Sequence, residues 1–360
     1  MTKDSRRLLS LDVLRGITVA GMILVNDGYG ESFTMLKHSN WNGMTPCDLV
    51  FPFFLFIMGI STYLSLRKYE FKANREVIWK ILRRTLLIFL IGLFINYFDK
   101  AINGNWWPMD SIRIMGVMQR IALCYCAVSF IALTVNHKYL LHIVFGLLIV
   151  YALILSLGNG YAEDATNIAA RIDKAIFGYD HLYHKSPVDP EGLLGTLSAI
   201  AHTLLGFFAC KMMREAKDIQ GKVLFFLLFG AILVISGYLL SYSMPLNKRI
   251  WSPSYVLVTC GLCSLLQGII MYWLDYRQKK QNGLVTFFLV FGINPLFLYV
   301  LSELLAIIFG HFDISTMIYS PIHSIVTHPQ WASFCYALTF TLICGACGYP
   351  LYKKKIYIKI

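Results

Sequence analysis

A polar connector between the first two apolar runs carries the side chains best suited to chemistry. His38 lies close in sequence to Trp41 and Asn42, while Asn26 precedes this group and Asp48 follows it. An imidazole transfers protons readily near neutral pH, because its unperturbed pKa is about 6.5, and it is also a nucleophile. A connector that only reversed the chain direction would need neither this imidazole nor the neighbouring indole and amides. We therefore predict that the connector contains a functional site.

Asp48 opens the second apolar run, and Pro52 follows it by one turn. An aspartate near a helix N-terminus is ordinary capping, and an early proline is tolerated because the first N–H groups of a helix are unpaired. Structure alone therefore explains this helix start. Since Asp48 also borders the polar connector, we include it with Trp41 and Asn42 among the candidate substrate-binding residues.

The composition is that of a membrane protein. Of the 360 residues, 57% are hydrophobic and 14% are charged, whereas soluble domains carry roughly 45–50% and about 25%. A helix needs about 20 apolar residues to cross a bilayer. The long apolar runs therefore predict one all-α, polytopic membrane domain over residues 1–360, with about ten transmembrane helices and no cleaved signal peptide. The ten runs are 8–26, 48–66, 80–98, 114–135, 139–157, 191–213, 222–242, 254–274, 284–309 and 331–352.

The distribution of Lys and Arg predicts the orientation. With ten spans, 22 of the 32 basic residues lie on one side of the membrane and 8 on the other, while Arg15 and Arg120 lie within helices. Because a basic excess marks the cytoplasmic side, we expect both termini to be cytoplasmic. The net charge of +12 then reflects this bias, so no nucleic-acid partner is predicted. Five segments face outwards: the His38 connector, 103–110, 158–190, 248–251 and 310–330.

Charged residues within or beside the apolar runs need a partner or a ligand, because a charge in lipid is costly. Asp12 and Arg15 are three residues apart on one helix face. This spacing favours an ion pair and leaves a role at a cofactor entrance open. Gly16 beside them allows a close backbone approach. Arg113 and Arg120 are seven residues apart in the predicted fourth helix, again on one face. Their guanidinium groups would suit a phosphate or a carboxylate.

The segment Asp189-Pro190-Glu191-Gly192 marks the start of the sixth apolar run. An aspartate N-cap followed by proline at the first helical position is a sufficient structural account of the first two residues. Glu191 adds an acid at the outer rim. We therefore include Glu191 among the candidate substrate-binding residues.

The nine cysteines are predicted to be packing residues. Eight lie within or at the ends of apolar runs, and two pairs with CxxC spacing fall inside predicted helices. No histidine or cysteine flanks these pairs at the spacing of metal ligands. We therefore predict neither a disulfide framework nor a metal site.

The sequence resembles the heparan-alpha-glucosaminide N-acetyltransferases, a family of membrane enzymes, and their bacterial relatives. The resemblance covers almost the whole chain, in order. The motifs KHxxWNG and DPEGLLGT are the most specific, whereas SLDxxRG is shared more widely among membrane acyltransferases. The matching segments are RLLSLDVLRG, KHSNWNGMTPCDLVFPFFLFIMG, RIMGVMQRIALCY, DHLYHKSPVDPEGLLGTL, NKRIWSPSYV and YKKKIYIKI.

The resemblance implies a function and its residues. Members transfer acetyl from cytoplasmic acetyl-CoA, across the membrane, to the amine of a terminal glucosamine. Their catalytic histidine and asparagine correspond to His38 and Asn26. The histidine would remove the amine proton or accept the acetyl group, and the asparagine amide would donate to the oxyanion. Trp41 would offer a ring face to the sugar, and Asn42 would offer an amide to its hydroxyls.

The resemblance also implies cations along the path of the anionic donor, acetyl-CoA. Arg15, Arg113 and Arg120 are the candidate cofactor-binding residues, because guanidinium groups bind phosphates well. The luminal domain and extra first helix of the lysosomal enzyme have no counterpart in this sequence. We therefore expect a relative that lies among the lipids of a bacterial cytoplasmic (inner) membrane. The sequence does not identify the acceptor, and a homodimer is compatible with it.

An amino-sugar transporter is the alternative function. Buried polar residues and the predicted break of the ninth run at Asn294-Pro295 would suit a transporter equally well, since broken helices at membrane depth often line cavities. The densest polar cluster, however, lies in an outer connector rather than at mid-membrane, where transporters usually bind their substrate. The position of the cluster therefore favours the enzyme.

Overall fold

The computed structural model describes residues 8–184, 186–279 and 281–358. These residues form helices and connectors, and no β-strand occurs among them, as the apolar runs predict. Thirteen α-helices occur in the described chain: α1 Leu9–Asn26, α2 Val50–Arg67, α3 Arg75–Ile102, α4 Val117–Thr134, α5 Leu140–Leu157, α6 Ile168–Phe177, α7 Gly195–Glu215, α8 Ile219–Ser241, α9 Pro253–Met271, α10 Gly283–Ile293, α11 Pro295–His311, α12 Ile314–Ile325 and α13 Pro329–Lys353. Six basic residues of the charge distribution lie outside the described residues: Lys3, Arg6, Arg7, Lys185, Lys280 and Lys359.

Most of these helices are suited to a membrane. By length and composition, eight helices of the described chain can cross a bilayer, or nine if α10 and α11, which meet at 84°, form one broken span. The protein is therefore an integral membrane protein. Nine of the ten predicted runs correspond to these helices, with α10 and α11 counted as one. The remaining predicted span lies within α3, whose 28 residues include seven charged ones.

The fold divides into two compact units, which are described separately. The described residues of unit 1 lie within 8–37, 212–232 and 261–358, and those of unit 2 lie within 38–211 and 233–260. Helices α2 to α6 therefore belong to unit 2, and α10 to α13 belong to unit 1.

In unit 1, glycines let α1 and α10 pack backbone to backbone. A Cβ atom at Gly16 would overlap the carbonyl oxygen of Phe288, and one at Gly292 would overlap that of Asp12. Small residues allow such a close approach between membrane helices. The close backbone contact predicted for Gly16 is confirmed.

In unit 1 the ninth apolar run is interrupted between α10 and α11, as the sequence predicts. Asn294, which is 3% exposed, separates α10 from Pro295, the first residue of α11. Its Nδ2 donates to the carbonyl oxygen of Ile356 at 2.8 Å, and its Oδ1 accepts from the backbone N–H of Ile358 at 2.8 Å. The C-terminal segment therefore satisfies the polar side chain at the break.

In unit 2, α2 and α7 also meet through glycines. A Cβ atom at Gly59 would overlap the carbonyl oxygen of Thr203, and one at Gly206 would overlap that of Phe56. This contact fixes the two helices whose preceding segments carry most of the candidate site residues.

Two hydrogen bonds to backbone carbonyl oxygens join the outer connectors of unit 2 to the His38 connector. The Nε1 of Trp41 donates to the carbonyl oxygen of Tyr161 at 2.9 Å. The backbone N–H of Gly43 donates to the carbonyl oxygen of Leu246 at 2.8 Å. Three segments that the charge distribution places on one side of the membrane are therefore neighbours in this unit.

Candidate active site

The start of α2 buries the carboxylate of Asp48. A 3₁₀ turn, Pro46–Leu49, precedes the helix, and Thr45 is its N-cap. Asp48 is the acid of a capping box, and its Oδ2 accepts from the backbone N–H and the hydroxyl of Thr45, each at 3.1 Å. The predicted capping by Asp48 is therefore confirmed, and Pro52 lies in the first turn of α2, as predicted.

The same carboxylate holds His38. Its Oδ1 lies 2.7 Å from the imidazole Nδ1, and its Oδ2 also accepts from the backbone N–H of Ser39 at 3.1 Å. An ionised carboxylate only accepts hydrogen bonds, so this contact requires a proton on Nδ1, and in the neutral imidazole the lone pair is then on Nε2. The Asp48 side chain is fully buried, whereas that of His38 is 47% exposed. A buried acid therefore orients a half-exposed imidazole.

Two further side chains lie against the imidazole, and neither is a predicted site residue. Lys248 Nζ lies 3.0 Å from Nδ1 and 3.4 Å from Nε2 of His38, and 3.5 Å from Oδ1 of Asp48. Cys47 is buried, with its Sγ 3.1 Å from Nδ1. Two sequence signals point to Lys248. It is a basic residue in an outward segment, against the cytoplasmic bias, and it belongs to the matching segment NKRIWSPSYV.

Trp41 anchors the connector rather than presenting its ring to solvent. Its side chain is 8% exposed, and it packs in an apolar cluster with Tyr151, Ile250 and Ala170. This packing leaves little of the ring for a sugar. Asn42, by contrast, is exposed, and its Oδ1 accepts from Nδ2 of Asn247 at 3.2 Å.

Arg113 precedes α4, which begins at Val117. The prediction that Arg113 and Arg120 share a face of one helix is therefore wrong. The backbone of Gly116 is extended, with φ −169° and ψ −174°, and ends the helical periodicity. Instead, the Nη2 of Arg113 bridges Asp189 Oδ1 at 2.6 Å and Glu191 Oε2 at 2.7 Å.

Glu191 is paired inside this cluster. Helix α7 begins at Gly195, so Asp189 and Pro190 do not occupy the cap and first position of the α-helix as predicted. Burial alone would raise the pKa of Glu191, but the charges of Arg113 and Arg120 hold it below its usual range. Glu191 is therefore an ionised partner of Arg113, and Asp189 is the second carboxylate in contact with this guanidinium.

Arg120 is fully buried in unit 2. Its Nη2 donates to the carbonyl oxygen of Gly192 at 2.8 Å, and its guanidinium lies 5.1 Å from the ring centroid of Trp251. Gly195 leaves room for it, since a Cβ atom there would lie 2.9 Å from Nη2. In this arrangement Arg113 is paired with carboxylates, and Arg120 is inaccessible to solvent.

The remaining two predicted residues belong to unit 1. Arg15 pairs with Asp12, with Nη1 3.1 Å from Oδ1, and lies 3.4 Å from the carbonyl oxygen of Gly292. The ion pair favoured by the sequence is confirmed. Asn26 is the last residue of α1 and is exposed.

Asp173 is a buried acid that sequence reasoning missed. Its Oδ1 accepts from the backbone N–H of Leu193 at 2.8 Å, and its Oδ2 has no hydrogen-bond partner among the described residues. Burial raises the pKa of Asp173 to about 6. A single aspartate in a short helix with charged neighbours is usually solvated, so the sequence carries no signal for this burial. In the described chain, no group of three or more His, Cys, Asp or Glu residues is arranged to hold a metal ion.

Comparison with known proteins identifies relatives. Residues 7–170 match the model of a family described as "Heparan-alpha-glucosaminide N-acetyltransferase, catalytic". The enzyme of that name from Mus musculus is 28% identical over 419 residues, covering 99% of this chain and 61% of the relative. The one from Homo sapiens is 30% identical over 355 residues, covering 82% and 53%. The resemblance is confirmed, and the chain spans little more than half of the length of these relatives.

Proposed function

We propose that this chain, a relative of the heparan-alpha-glucosaminide N-acetyltransferases, transfers an acetyl group from acetyl-CoA to the amine of an outward-facing amino sugar. The observation that carries the proposal is the contact between half-exposed His38 and buried Asp48. The carboxylate holds one imidazole nitrogen and leaves the other for a substrate. The names of the relatives from Mus musculus and Homo sapiens support N-acetyl transfer as the type of reaction.

His38 acts on the amine in the direct route. Because Asp48 holds the proton on Nδ1, Nε2 removes a proton from the amine as the amine nitrogen attacks the thioester carbonyl. The tetrahedral intermediate then expels the thiolate of CoA, which takes the proton from the imidazolium. Between these steps the negative charge of Asp48 stabilises the imidazolium.

A two-step route uses the same arrangement. Nε2 of His38 attacks the carbonyl carbon, and CoA leaves as a thiolate. The amine then attacks the acetyl-histidine, the bond to Nε2 breaks with its electron pair returning to Nε2, and Nε2 takes the amine proton and passes it to the thiolate. Both routes develop an oxyanion on the same carbonyl oxygen. The resemblance implies that the amide of Asn26 donates to this oxygen.

Two predicted substrate-binding residues act as positioning residues in this proposal. Trp41 is packed among apolar side chains and fixes the connector that carries His38. Glu191 is paired with Arg113 and fixes the segment before α7. The exposed Asn42 is the residue that contacts the sugar.

We further propose that the phosphates of the donor bind away from Arg113 and Arg120. Arg113 has two carboxylate partners, and Arg120 is fully buried. Arg15, whose side chain is 20% exposed beside Asp12, is retained as the candidate cation. In the orientation predicted from the charge distribution, the donor is cytoplasmic and the acceptor lies outside a bacterial cytoplasmic membrane.

Replacement of His38 tests the proposed function. His38 is half-exposed in a connector, so His38→Ala creates no core cavity and should leave expression and thermal unfolding close to wild type. We expect transfer of radiolabelled acetyl from acetyl-CoA to glucosamine to fall about 10²–10⁴-fold for a lost general base. Loss of a nucleophile would lower the rate further.

His184→Ala is a matched control, because His184 is an exposed histidine of an outer connector. Its rate should remain near wild type. Label retained by wild type without acceptor, and lost in His38→Ala, would identify the two-step route. A His38→Ala protein that transfers acetyl at the wild-type rate would show that His38 has been assigned wrongly.

The transporter alternative rests on the 84° break between α10 and α11. Asn294, at that break, is occupied by the C-terminal segment, with its Nδ2 and Oδ1 both bonded to backbone groups. A coordinating residue of a transport site would instead be available to the substrate. Proteoliposomes loaded with acetyl-CoA separate the functions. Unmodified labelled glucosamine accumulating inside identifies a transporter, and acetylated glucosamine identifies the enzyme.

A further inference from the structure

Lys248 lies against the proposed base and has no role in the reaction described so far. Its Nζ is 3.0 Å from Nδ1 and 3.4 Å from Nε2 of His38. Its side chain is only 12% exposed, so the ammonium is largely desolvated. An ammonium carries three N–H donors and needs acceptors when it is desolvated.

Asp48 alone does not explain the position of Lys248. Its Oδ2 accepts from the backbone N–H groups of Ser39 and Thr45 and from the hydroxyl of Thr45, and its Oδ1 faces His38. The distance of 3.5 Å between Oδ1 and Lys248 Nζ exceeds an ordinary N–H···O hydrogen bond. The carboxylate is therefore satisfied without the lysine, and the ammonium keeps N–H groups for another acceptor.

Neighbouring residues hold the turn that carries Lys248. Asn247 is fully buried, and its Oδ1 accepts from the backbone N–H of Ile250 at 3.1 Å. The carbonyl oxygen of Ile250 in turn accepts from the hydroxyl of Tyr151. A charge that acts on a transition state must be held in place before the reaction begins. The turn meets this requirement.

We propose that Lys248 is a further catalytic residue, whose ammonium stabilises the oxyanion that forms on the donor's carbonyl oxygen beside Nε2 of His38. The proposal rests on the proposed function and applies to either route. In each route the attacked carbon lies next to Nε2, bonded to it or to the amine that it deprotonates. Because Nζ is 3.4 Å from Nε2, an oxygen on that carbon can reach an N–H group of Lys248.

The electrons and protons of this step balance without a change in Lys248. As the new C–N bond forms, the π electrons of the carbonyl move to its oxygen, and in the direct route the amine proton moves to Nε2. When the C–S bond breaks, the carbonyl forms again and the sulfur leaves with the bonding pair. Lys248 keeps its three protons throughout and acts only while the oxygen is negative.

Lys248→Met tests the proposal in the intact chain with acetyl-CoA and glucosamine. We expect kcat to fall by about 10²–10³-fold, as for the loss of an oxyanion donor, while KM for both substrates changes less than about threefold. The plateau of the pH–rate profile should fall, whether or not its midpoint moves. Lys248→Arg, which keeps the charge, should recover part of the rate, and Arg249→Met is the matched control on the neighbouring basic residue.

Each alternative gives a different result. If Lys248 only tunes the basicity of His38, the midpoint of the pH–rate profile moves and the plateau is kept, which overturns the proposal. A Lys248→Met protein with the wild-type kcat overturns it as well. A wild type that acetylates no amino sugar overturns the proposed function, and this inference with it.

A purely structural role is tested by a second variant. Lys248→Gln keeps an N–H donor and much of the side-chain length without the charge, and its kcat is measured on the monodisperse, folded fraction. If folded Lys248→Gln has the wild-type kcat, the lysine is a structural contact and the inference fails. If kcat falls while thermal unfolding is unchanged, the charge acts on the reaction.

Discussion

Unit 2 contains two charged clusters, and both join a basic residue of an outward segment to buried acids. In the Arg113 cluster, one guanidinium bonds two carboxylates, and it also lies 4.7 Å from the ring centroid of Tyr183. In the His38 cluster, Lys248 shares a single carboxylate with an imidazole, and that carboxylate already accepts three other hydrogen bonds. We call the first cluster closed, because its guanidinium and carboxylates bond one another. We call the second cluster reactive, because the N–H donors of Lys248 and the Nε2 lone pair of His38 are available to a substrate.

This difference separates a structural device from a reactive one. A closed cluster cannot bind a substrate without losing its own ion pairs, and breaking a buried pair is strongly destabilising. A cluster with an oriented imidazole and an ammonium that has N–H donors available can bind a substrate without breaking its own ion pairs. Both clusters perturb charged groups, so a perturbed pKa alone would not tell them apart. The two clusters differ in the hydrogen-bonding groups that remain available to a substrate.

Asp48→Asn should produce the largest change and tests the reactive cluster. The amide would present a donor to His38 Nδ1 and move the imidazole proton to Nε2, where the lone pair is needed. The same change in serine proteases lowers kcat about 10⁴-fold, and we expect a fall of about 10²–10⁴-fold in kcat/KM here. Acetyl transfer to glucosamine by the purified protein measures it.

Asp180→Asn is the control for this change, because Asp180 is exposed in an outer connector. Its transfer rate should match wild type. If Asp48→Asn kept full activity while folding normally, the contact between His38 and Asp48 would serve structure alone. The contrast between the two clusters would then disappear.

The sequence predicts the helices well, because membrane spans leave long apolar runs. It also predicts the break at Asn294 and the close contact at Gly16, since proline and glycine act through local backbone geometry. The prediction of helix bounds from the sequence fails where the apolar pattern extends beyond the end of the helix in the structure. The apolar residues after Arg113 extend the helical pattern, although the helix begins only at Val117.

Pairing between distant residues is the part that the sequence does not reveal. Lys248 and His38 are 210 positions apart, and Arg113 and Glu191 are 78 apart. No periodicity connects such residues, because the contact depends on how the connectors fold over the helix ends. The charge distribution nevertheless carries a hint. Arg113 and Lys248 are both exceptions to the cytoplasmic bias, and both have buried carboxylates as partners.

Arg113→Met should have the next largest effect and tests the closed cluster. The variant leaves two buried carboxylates without their partner, and breaking a buried pair costs about 3–5 kcal/mol. The Arg113 side chain is 25% exposed, so we expect a smaller loss, about 2–3 kcal/mol of unfolding free energy. Chemical unfolding in detergent measures it, and transfer activity per folded molecule should fall less than for Asp48→Asn.

The pH dependence and a double variant check the origin of this loss. The pKa of Glu191 is held below its usual range, so its stabilisation is present at neutral pH and is lost as the pH falls through the lowered value. The wild type should therefore lose this advantage over Arg113→Met in acid. Adding Glu191→Gln to Arg113→Met should restore part of the stability at neutral pH. If Glu191→Gln gives no rescue, the ion pair does not cause the loss.

Asn42→Ala should have the smallest effect and shows whether the reactive cluster extends to the sugar. Asn42 is exposed, and its Oδ1 accepts from Nδ2 of Asn247 at 3.2 Å, so water can replace the amide there. We expect unfolding free energy to fall by no more than about 1 kcal/mol. If the amide also contacts a sugar hydroxyl, the loss of one hydrogen bond raises KM for glucosamine about fivefold and leaves KM for acetyl-CoA unchanged. Asn247→Ala removes the same bridge, and also the bond from Ile250 that holds the turn of Lys248, but keeps the exposed amide. Its kcat should therefore fall while KM for glucosamine stays near wild type. Equal KM values for glucosamine in the two variants would show that Asn42 supports the turn of Lys248 and does not contact the sugar.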